Sequence, residues 1–302
     1  MATRSAERPK TPSKRKSKEP PAKRGAATTA DKRPPARKRR PAATTASGRK
    51  RLAVVYDIDG PRVRLGVLWF VAVGIALAVG PIGVALVYGT AAVAAAAQSA
   101  RCWRASKQVK ARPHVIAAAS FAGAIPLAAA LGPVAAGIVV LALPVGSLVA
   151  CGLGQRSLGS TLEDVGYTIQ VSLFPGLAAA SVVLLRDLRL GAALLVVLIA
   201  SAYECGDFLV GTGSPNSFEG PIAGVAAALV VTFSFAALQV APFDLGSAFA
   251  FGALAALLAP PGQLFASMLL PRAWSRAPAL RRLDSLLLVG PVVYVLVDLV
   301  VI

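Results

Sequence analysis

The chain has 302 residues, of which 56% are apolar and only 15% charged, with a positive mean hydropathy. Such values exclude an ordinary water-soluble domain and describe a polytopic membrane protein. The formal charge of +18 is concentrated at one end: residues 1–51 hold 18 Lys/Arg against 3 Asp/Glu, and the other 251 residues hold 14 against 11.

Residues 1–51 consist mainly of Lys, Arg, Pro, Ala, Thr and Ser, with no large apolar residue between Met1 and the end of the segment. A segment of that composition cannot bury enough surface to offset the entropy of ordering it, so a disordered basic tail is expected. Runs such as "KRKSK" and "RKRRP" suit anionic lipid headgroups, where each basic residue is worth about 1 kcal/mol. Nucleic acid is the second candidate partner, disfavoured because the tail carries no aromatic residue to stack on bases. Residues 52–64 form a juxtamembrane linker, and no secretory signal is expected because the first apolar run begins only after this long polar stretch.

From residue 65 onward the sequence predicts an all-α bundle of about nine spans. The uncharged run 65–100 is too long for one helix through a hydrocarbon core of ~30 Å, and Gly80-Pro81 divides it into spans 65–80 and 82–100. Gly132-Pro133 divides the next pair, 114–131 and 133–152. His114, the only histidine, starts an apolar run and reads as a membrane-boundary residue, since a metal site usually needs several ligands. Cys102, Cys151 and Cys205 lack the close spacing of a disulfide or zinc framework. These four helices make an N-terminal block, 65–152. A second block, 153–302, holds spans at 168–185, 190–206, 221–240, 244–270 and 285–302.

Basic loops mark the cytoplasmic side. The tail and "RCWRASKQVKAR" (101–112) are separated by two spans and both belong inside. Counting on, residues 207–220 and the arginine-rich "PRAWSRAPALRR" (271–282) share that side. "RDLR" (186–189) falls on the opposite side, a mild violation of the rule. The expected location is therefore the cytoplasmic membrane, with the N-terminus and the two polar loops inside.

Those loops carry the candidate chemistry. "YECGDFLVGTGSPNSFEGP" (203–221) places Glu204, Asp207 and Glu219 between two apolar helices, and acids at membrane depth are costly enough to suggest a function. Glu204 and Asp207, three apart, share a helix face and can hold a cation or accept from an arginine. Ser214, Asn216 and Ser217 add polar groups, and Gly211 and Gly213 permit close approach to a phosphate. In "PRAWSRAPALRRLDS", Arg272, Arg276, Arg281 and Arg282 supply cations beside Asp284. Arginine suits phosphate recognition. The bland reading is that the arginines only obey the positive-inside rule, that Glu219 caps a helix start and that Asp284 closes the loop. A transport pathway is the further alternative.

From about residue 150 to 302 the sequence resembles the integral-membrane CDP-diacylglycerol synthases, the phosphatidate cytidylyltransferases. In "VVLLRDLRLGAALLVVLIASAYECGDFLVG", Glu204, Gly206, Phe208 and Gly211 follow that family's Asp-x-Gly-Ala-Tyr-x-x-Gly, with Asp207 at the alanine. "SPNSFEGPIAG" follows its serine-proline loop through Ser214, Pro215, Ser217, Glu219, Gly220 and Gly224. Asn216 stands where the family has lysine. "GQLFASMLLPRAWSRAPALRRLDSLLLVGPVVY" keeps Gly262, Leu264, Ser267, Arg282, Asp284, Ser285, Pro291 and Tyr294 of the C-terminal signature. Gln263 and Arg281 replace aspartates, Ala266 a glutamate and Leu270 a lysine; the Lys-Asp and His-Gly-Gly elements are missing.

The resemblance implies transfer of a cytidylyl group from CTP to phosphatidic acid or a related lipid phosphate at a cytoplasmic site using Mg²⁺. It implies catalytic roles for Glu219 and Asp284, and metal ligation by Glu204, Asp207 and Asp284. Ser214, Asn216, Ser217, Ser267, Arg281 and Arg282 would bind phosphate or substrate. It is also compatible with a homodimer. Because Gln263 and Arg281 remove acids that would hold Mg²⁺, the alternative is a catalytically inactive relative that binds lipid or organises other membrane proteins.

Overall fold

A computed structural model describes residues 62–107, 109–153, 157–212, 214, 216 and 218–300, with the side chains of Arg62 and Val63 excepted. The basic segment 1–51, most of the linker 52–64, and Ser217 lie outside the described residues.

Among those residues the chain is helical, without strands. α1 (Arg62–Val79), α2 (Pro81–Ala105), α3 (Val115–Ala129) and α4 (Pro133–Gly152) form the first block. α5 (Leu158–Leu188), α6 (Leu190–Gly211), α7 (Glu219–Leu238) and α8 (Leu245–Met268) follow. A single turn, α9 (Pro278–Arg281), leads into α10 (Leu286–Val300).

Nine of these helices occupy the nine places expected. Six, namely α2 and α4 to α8, are long and apolar enough to cross a membrane. The apolar stretches Arg64–Val79, Val115–Ala129 and Leu286–Val300 are shorter. At ~1.5 Å per residue they extend roughly 22–24 Å, less than a hydrocarbon core of ~30 Å. Nine full spans are therefore not established by helix length; six are long enough.

The glycine-proline junctions behave as local chemistry dictates. Gly80 and Gly132 take φ values of 124° and 112°, and Pro81 and Pro133 occupy the first helical turn that follows. Glycine alone adopts such φ values without penalty, and proline at a helix start loses no hydrogen bond. α8 begins with a capping box in which Asp244 accepts from the Ser247 N–H at 2.7 Å and Ser247 Oγ accepts from the Asp244 N–H at 2.9 Å. Prolines inside α3, α4, α5, α8 and α10 are tolerable in membrane helices because neighbouring groups satisfy the freed carbonyls.

α5 is the centre of the bundle. Of its most apolar stretch 72% is buried, against 22% for α4, whose Ile138, Leu141 and Val145 point outward. In a bilayer such outward faces meet lipid, while small residues let helices approach one another. α2 does the latter with Ala92, Ala95, Ala96 and Ala100, all fully buried. α6 and α7 cross most tightly at Gly206 and Gly224: a Cβ at Gly224 would lie 2.7 Å from Tyr203, and one at Gly206 2.7 Å from the Ala223 carbonyl.

The contacts sort the loops to two ends. At one end, Trp103 of α2 bonds Leu269, the Arg112 N–H donates to Asp164 of α5, and Glu204 of α6 meets Ser285. At the other, Arg186 Nε donates to the Leu77 carbonyl near the end of α1 at 2.7 Å, and Gly191 packs on Ala241. The described residues of 101–112, 207–220 and 271–282 thus share one end, as the positive-inside count expects. Arg186, which breaks that count, satisfies one of the carbonyls that a helix terminus leaves without an intrahelical partner.

A charged donor to a buried carbonyl is worth about 1.5–3 kcal/mol. Arg186→Ala in lipid nanodiscs should lower the thermal unfolding midpoint by an amount consistent with that loss, and Arg186→Lys should recover only part. An unchanged midpoint in Arg186→Ala would exclude the capping role.

Candidate functional site

α6 enters the loop-bearing end with Tyr203, Glu204 and Asp207 turned toward α8 and the α9–α10 connection. Gln263 of α8 joins two of them: its Nε2 donates to Asp207 Oδ2 at 2.8 Å, and its Oε1 accepts from the Tyr203 hydroxyl at 2.9 Å. Asp207 and Gln263 are only 3% and 6% exposed, so these bonds offset the desolvation of both groups. Glu204 Oε1 accepts from Ser285 Oγ at 2.8 Å. Glu204 and Asp207, placed on one face by their three-residue spacing, therefore reach two different partners.

The second half of the cluster comes from the loop after α8. Arg281 Nη1 donates to Ser267 Oγ at 3.2 Å and lies 4.0 Å from Asp284 Oδ2. Its Nη2 donates to the Ala273 carbonyl at 2.6 Å. The Ser285 N–H donates to Asp284 Oδ1 at 2.7 Å. Asp284 lies between the helices and outside the spanning segments; burial raises its carboxyl, and with the Arg281 charge pulling the other way it stands at about 7. Glu204 and Asp207 are both close enough to interact electrostatically with Asp284 or with each other. Arg282 acts on Glu204 and Asp284 from the side of α1, where its Nη1 approaches the Cβ position of Gly66 to 3.8 Å.

Two features hold this geometry. Gly262 of α8 faces the α9–α10 connection, and a Cβ there would lie 2.5 Å from the Asp284 carbonyl oxygen. Only a glycine lets the backbone bearing Asp284 and Ser285 come this close. α2 fixes the arginine loop from the opposite side. Trp103 Nε1 donates to the Leu269 carbonyl at 2.8 Å, Cys102 Sγ to the Arg276 carbonyl at 3.6 Å, and the Ala279 N–H to Gln98 Oε1 at 3.0 Å.

The structure gathers Glu204, Asp207, Ser267, Arg281, Arg282 and Asp284 of the expected residues. Glu219, Ser214 and Asn216 form a separate unit. Asn216 Nδ2 donates to Glu219 Oε1 at 2.6 Å, and Ser214 Oγ donates to Glu219 Oε2. Both Glu219 oxygens are thus used in folding their own loop against the start of α7, and no described contact joins them to the cluster. Arg272 and Arg276 are exposed. His114 caps α3, its ring nitrogen accepting from the Ala117 N–H at 3.1 Å. Tyr203 carries no functional signal in the sequence; only its place one residue before Glu204 marks it.

A Mg²⁺ ion needs several oxygen ligands, at least one or two of them carboxylate. Among the described residues no group of three or more His, Cys, Asp or Glu stands together to hold a metal ion. Asp207 faces the Gln263 amide hydrogens, Glu204 faces Ser285, and Asp284 faces a guanidinium. As arranged, the acids do not offer the ligand set of a resident Mg²⁺.

A model of the cytidylyltransferase family matches residues 61–272. The match takes in α1 to α4 as well as α5 to α8, whereas the resemblance read from the sequence starts near residue 150. It stops before Arg281, Arg282 and Asp284. No curated protein and no solved structure matches the chain.

A methyl group at position 262 should cost about 1–3 kcal/mol of overpacking, partly offset by about 0.5–1 kcal/mol of helix propensity. Gly262→Ala should therefore accelerate amide hydrogen exchange at residues 284–287 while α8 itself stays protected. Equal protection at 284–287 in both proteins would show that the close approach is not required.

Proposed function

From the premise that the chain belongs to the cytidylyltransferase family, we propose that it transfers a cytidylyl group from CTP to phosphatidic acid or a related lipid phosphate. The observation that carries the proposal is the pair Arg281 and Arg282, brought beside Ser267 and three acids at the loop-bearing end of an apolar bundle. Guanidinium groups match phosphate geometry, and a bundle end in a membrane is where a lipid headgroup and a soluble nucleotide can meet.

In the reaction an oxygen of the lipid phosphate attacks the α-phosphorus of CTP. A new P–O bond forms, the bond to the β-phosphate breaks, and pyrophosphate leaves. The attacking phosphate is already ionised at neutral pH, so no general base is needed. Catalysis then rests on holding two anions in line and offsetting their charge. Arg281 and Arg282 supply the charge, and Ser267 adds a hydroxyl. Asp284 orients Arg281, Gln263 orients Asp207, and Ser285 ties Glu204 to the same connection. Ser214, Asn216 and Glu219 shape the loop that starts α7.

The opposing reading, an inactive lipid-binding relative, draws on the same bonds, because Gln263 and Arg281 engage acids that would otherwise be available. The decisive assay is CTP-dependent pyrophosphate release by the full-length chain in vesicles containing phosphatidic acid, with Mg²⁺ present. The expected result is turnover specific for CTP, lowered on the order of a hundredfold or more in Arg282→Ala if its phosphate contact is worth about 3 kcal/mol. No release with any acceptor lipid, together with retained vesicle binding, would favour the inactive relative.

We further propose that the loop-bearing end faces the cytoplasm of a cell membrane, from the excess of Lys and Arg in 101–112 and 271–282. Cysteines introduced at Arg276 and Asp187 in a chain lacking its native cysteines should react with a membrane-impermeant maleimide from opposite sides of right-side-out and inverted vesicles. Labelling of both from one side would overturn the topology.

A further inference from the structure

Arg281 is held at three points. Ser267 Oγ and the Ala273 carbonyl accept from its two terminal nitrogens, and Asp284 lies 4.0 Å from Nη1. Its side chain is only 16% exposed, so the guanidinium is largely enclosed by the protein. A guanidinium keeps its charge when buried, unlike a lysine ammonium or a histidine. The cluster therefore contains a permanent positive charge supplied by the chain.

That charge stands where a divalent ion would have to compete. A Mg²⁺ bound to Asp284 would lie ~2 Å from its oxygen and so within a few ångströms of Arg281. On the other side, the Gln263 amide is oriented by the Asp207 carboxylate, which can only accept, and the Tyr203 hydroxyl completes the arrangement by donating to Oε1. An ion at that Asp207 oxygen would meet the positive end of the amide dipole. Turning the amide would set its oxygen against the Asp207 carboxylate, while the tyrosine oxygen could accept from the amide hydrogens.

We propose that Arg281 is the resident cation of this cluster and makes phosphate binding here independent of a protein-bound divalent ion. The inference deepens the nucleotidyltransferase reading and rests on it only for the identity of the ligand. Arg281 offers its charge to nucleotide phosphate oxygens, and Asp284, Ser267 and the Ala273 carbonyl keep the guanidinium in place. Gln263 occupies Asp207, so the acid supports the fold of the site without binding metal.

Two measurements on the full-length chain in nanodiscs separate the cation question from the ligand question. The first is Mn²⁺ binding followed by electron paramagnetic resonance, without nucleotide. No saturable binding is expected, or binding that Asp284→Asn leaves unchanged and that therefore lies elsewhere. Saturable binding abolished by Asp284→Asn would overturn the proposal. The double variant Gln263→Asp/Arg281→Asp should gain Mn²⁺ binding at the cluster, and its failure to do so with intact helical circular dichroism would also count against Arg281 as the excluding charge.

The second is CTP binding by equilibrium dialysis in EDTA and in Mg²⁺. Affinity should agree between the two conditions and fall on the order of tenfold or more in Arg281→Ala, as expected for loss of a charged hydrogen bond, with partial rescue in Arg281→Lys. Binding seen only with Mg²⁺ overturns the proposal. If CTP binds in neither condition, the nucleotidyltransferase reading fails, and the Mn²⁺ result on the unaltered chain still decides whether Arg281 holds the cation position.

Discussion

Everything at the loop-bearing end depends on pairing charge inside an apolar bundle. Glu204, Asp207 and Asp284 approach one another in a protein whose remaining interior is mostly alanine, valine and leucine. Carboxylates without partners there would pay several kcal/mol each. The chain answers with partners for each acid, among them Ser285 for Glu204, Gln263 for Asp207, and Arg281 with the Ser285 N–H for Asp284. Because these partners come from α8 and the α9–α10 connection, satisfying the acids of α6 also fixes how the three elements meet. Close backbone approach at Gly262 is the steric counterpart of the same requirement.

The basic segments at this end carry a second role besides orientation. In a simple positive-inside reading, "RCWRASKQVKAR" and "PRAWSRAPALRR" are two loops that only share a side. The structure joins them through Gln98, Cys102 and Trp103, whose side chains bond the backbone at Ala279, Arg276 and Leu269. Residues 98 and 102 are one helical turn apart, so a single face of α2 makes the attachment. The arginine loop is thus tied to the first helical block, and its cations do not float on a free connection.

Much of the helix layout was legible from local pattern. Gly80-Pro81 and Gly132-Pro133 mark real junctions because each combines a residue permissive of positive φ with one suited to a helix start. The start of α5 was not legible. The sequence places this span at 168–185, yet α5 begins at Leu158 and Asp164 is buried. Its carboxylate accepts the Arg112 N–H from a distant loop, a contact that no periodicity within α5 can reveal. At the site, the spacing of Glu204 and Asp207 predicted a shared face correctly. What it could not show is that Gln263 and Ser285 would take those acids, or that Glu219 would turn to Ser214 and Asn216 within its own loop. Partner choice of that kind is set by tertiary approach of helices far apart in sequence.

The family match and the charge cluster divide the chain in an informative way. The match covers residues 61–272 and so includes α1 to α4, whereas the resemblance carried by the signature motifs begins near residue 150. The cations and Asp284 lie just beyond it. These two regions meet physically: α2 holds the loop from residue 269 to 279, and Arg282 reaches toward Gly66 of α1. The N-terminal helices are therefore part of the device that positions Arg281 and Arg282. An arginine in a loop would ordinarily gain little precision from its charge, since a long side chain keeps much of its rotamer freedom. Here Ser267, Ala273 and Asp284 restrict the guanidinium while α2 restricts the backbone behind it. A fixed guanidinium can stabilise a developing phosphate charge without reorganising at the moment of reaction. On the proposed function, that preorganisation would let a site with few available carboxylates handle phosphates.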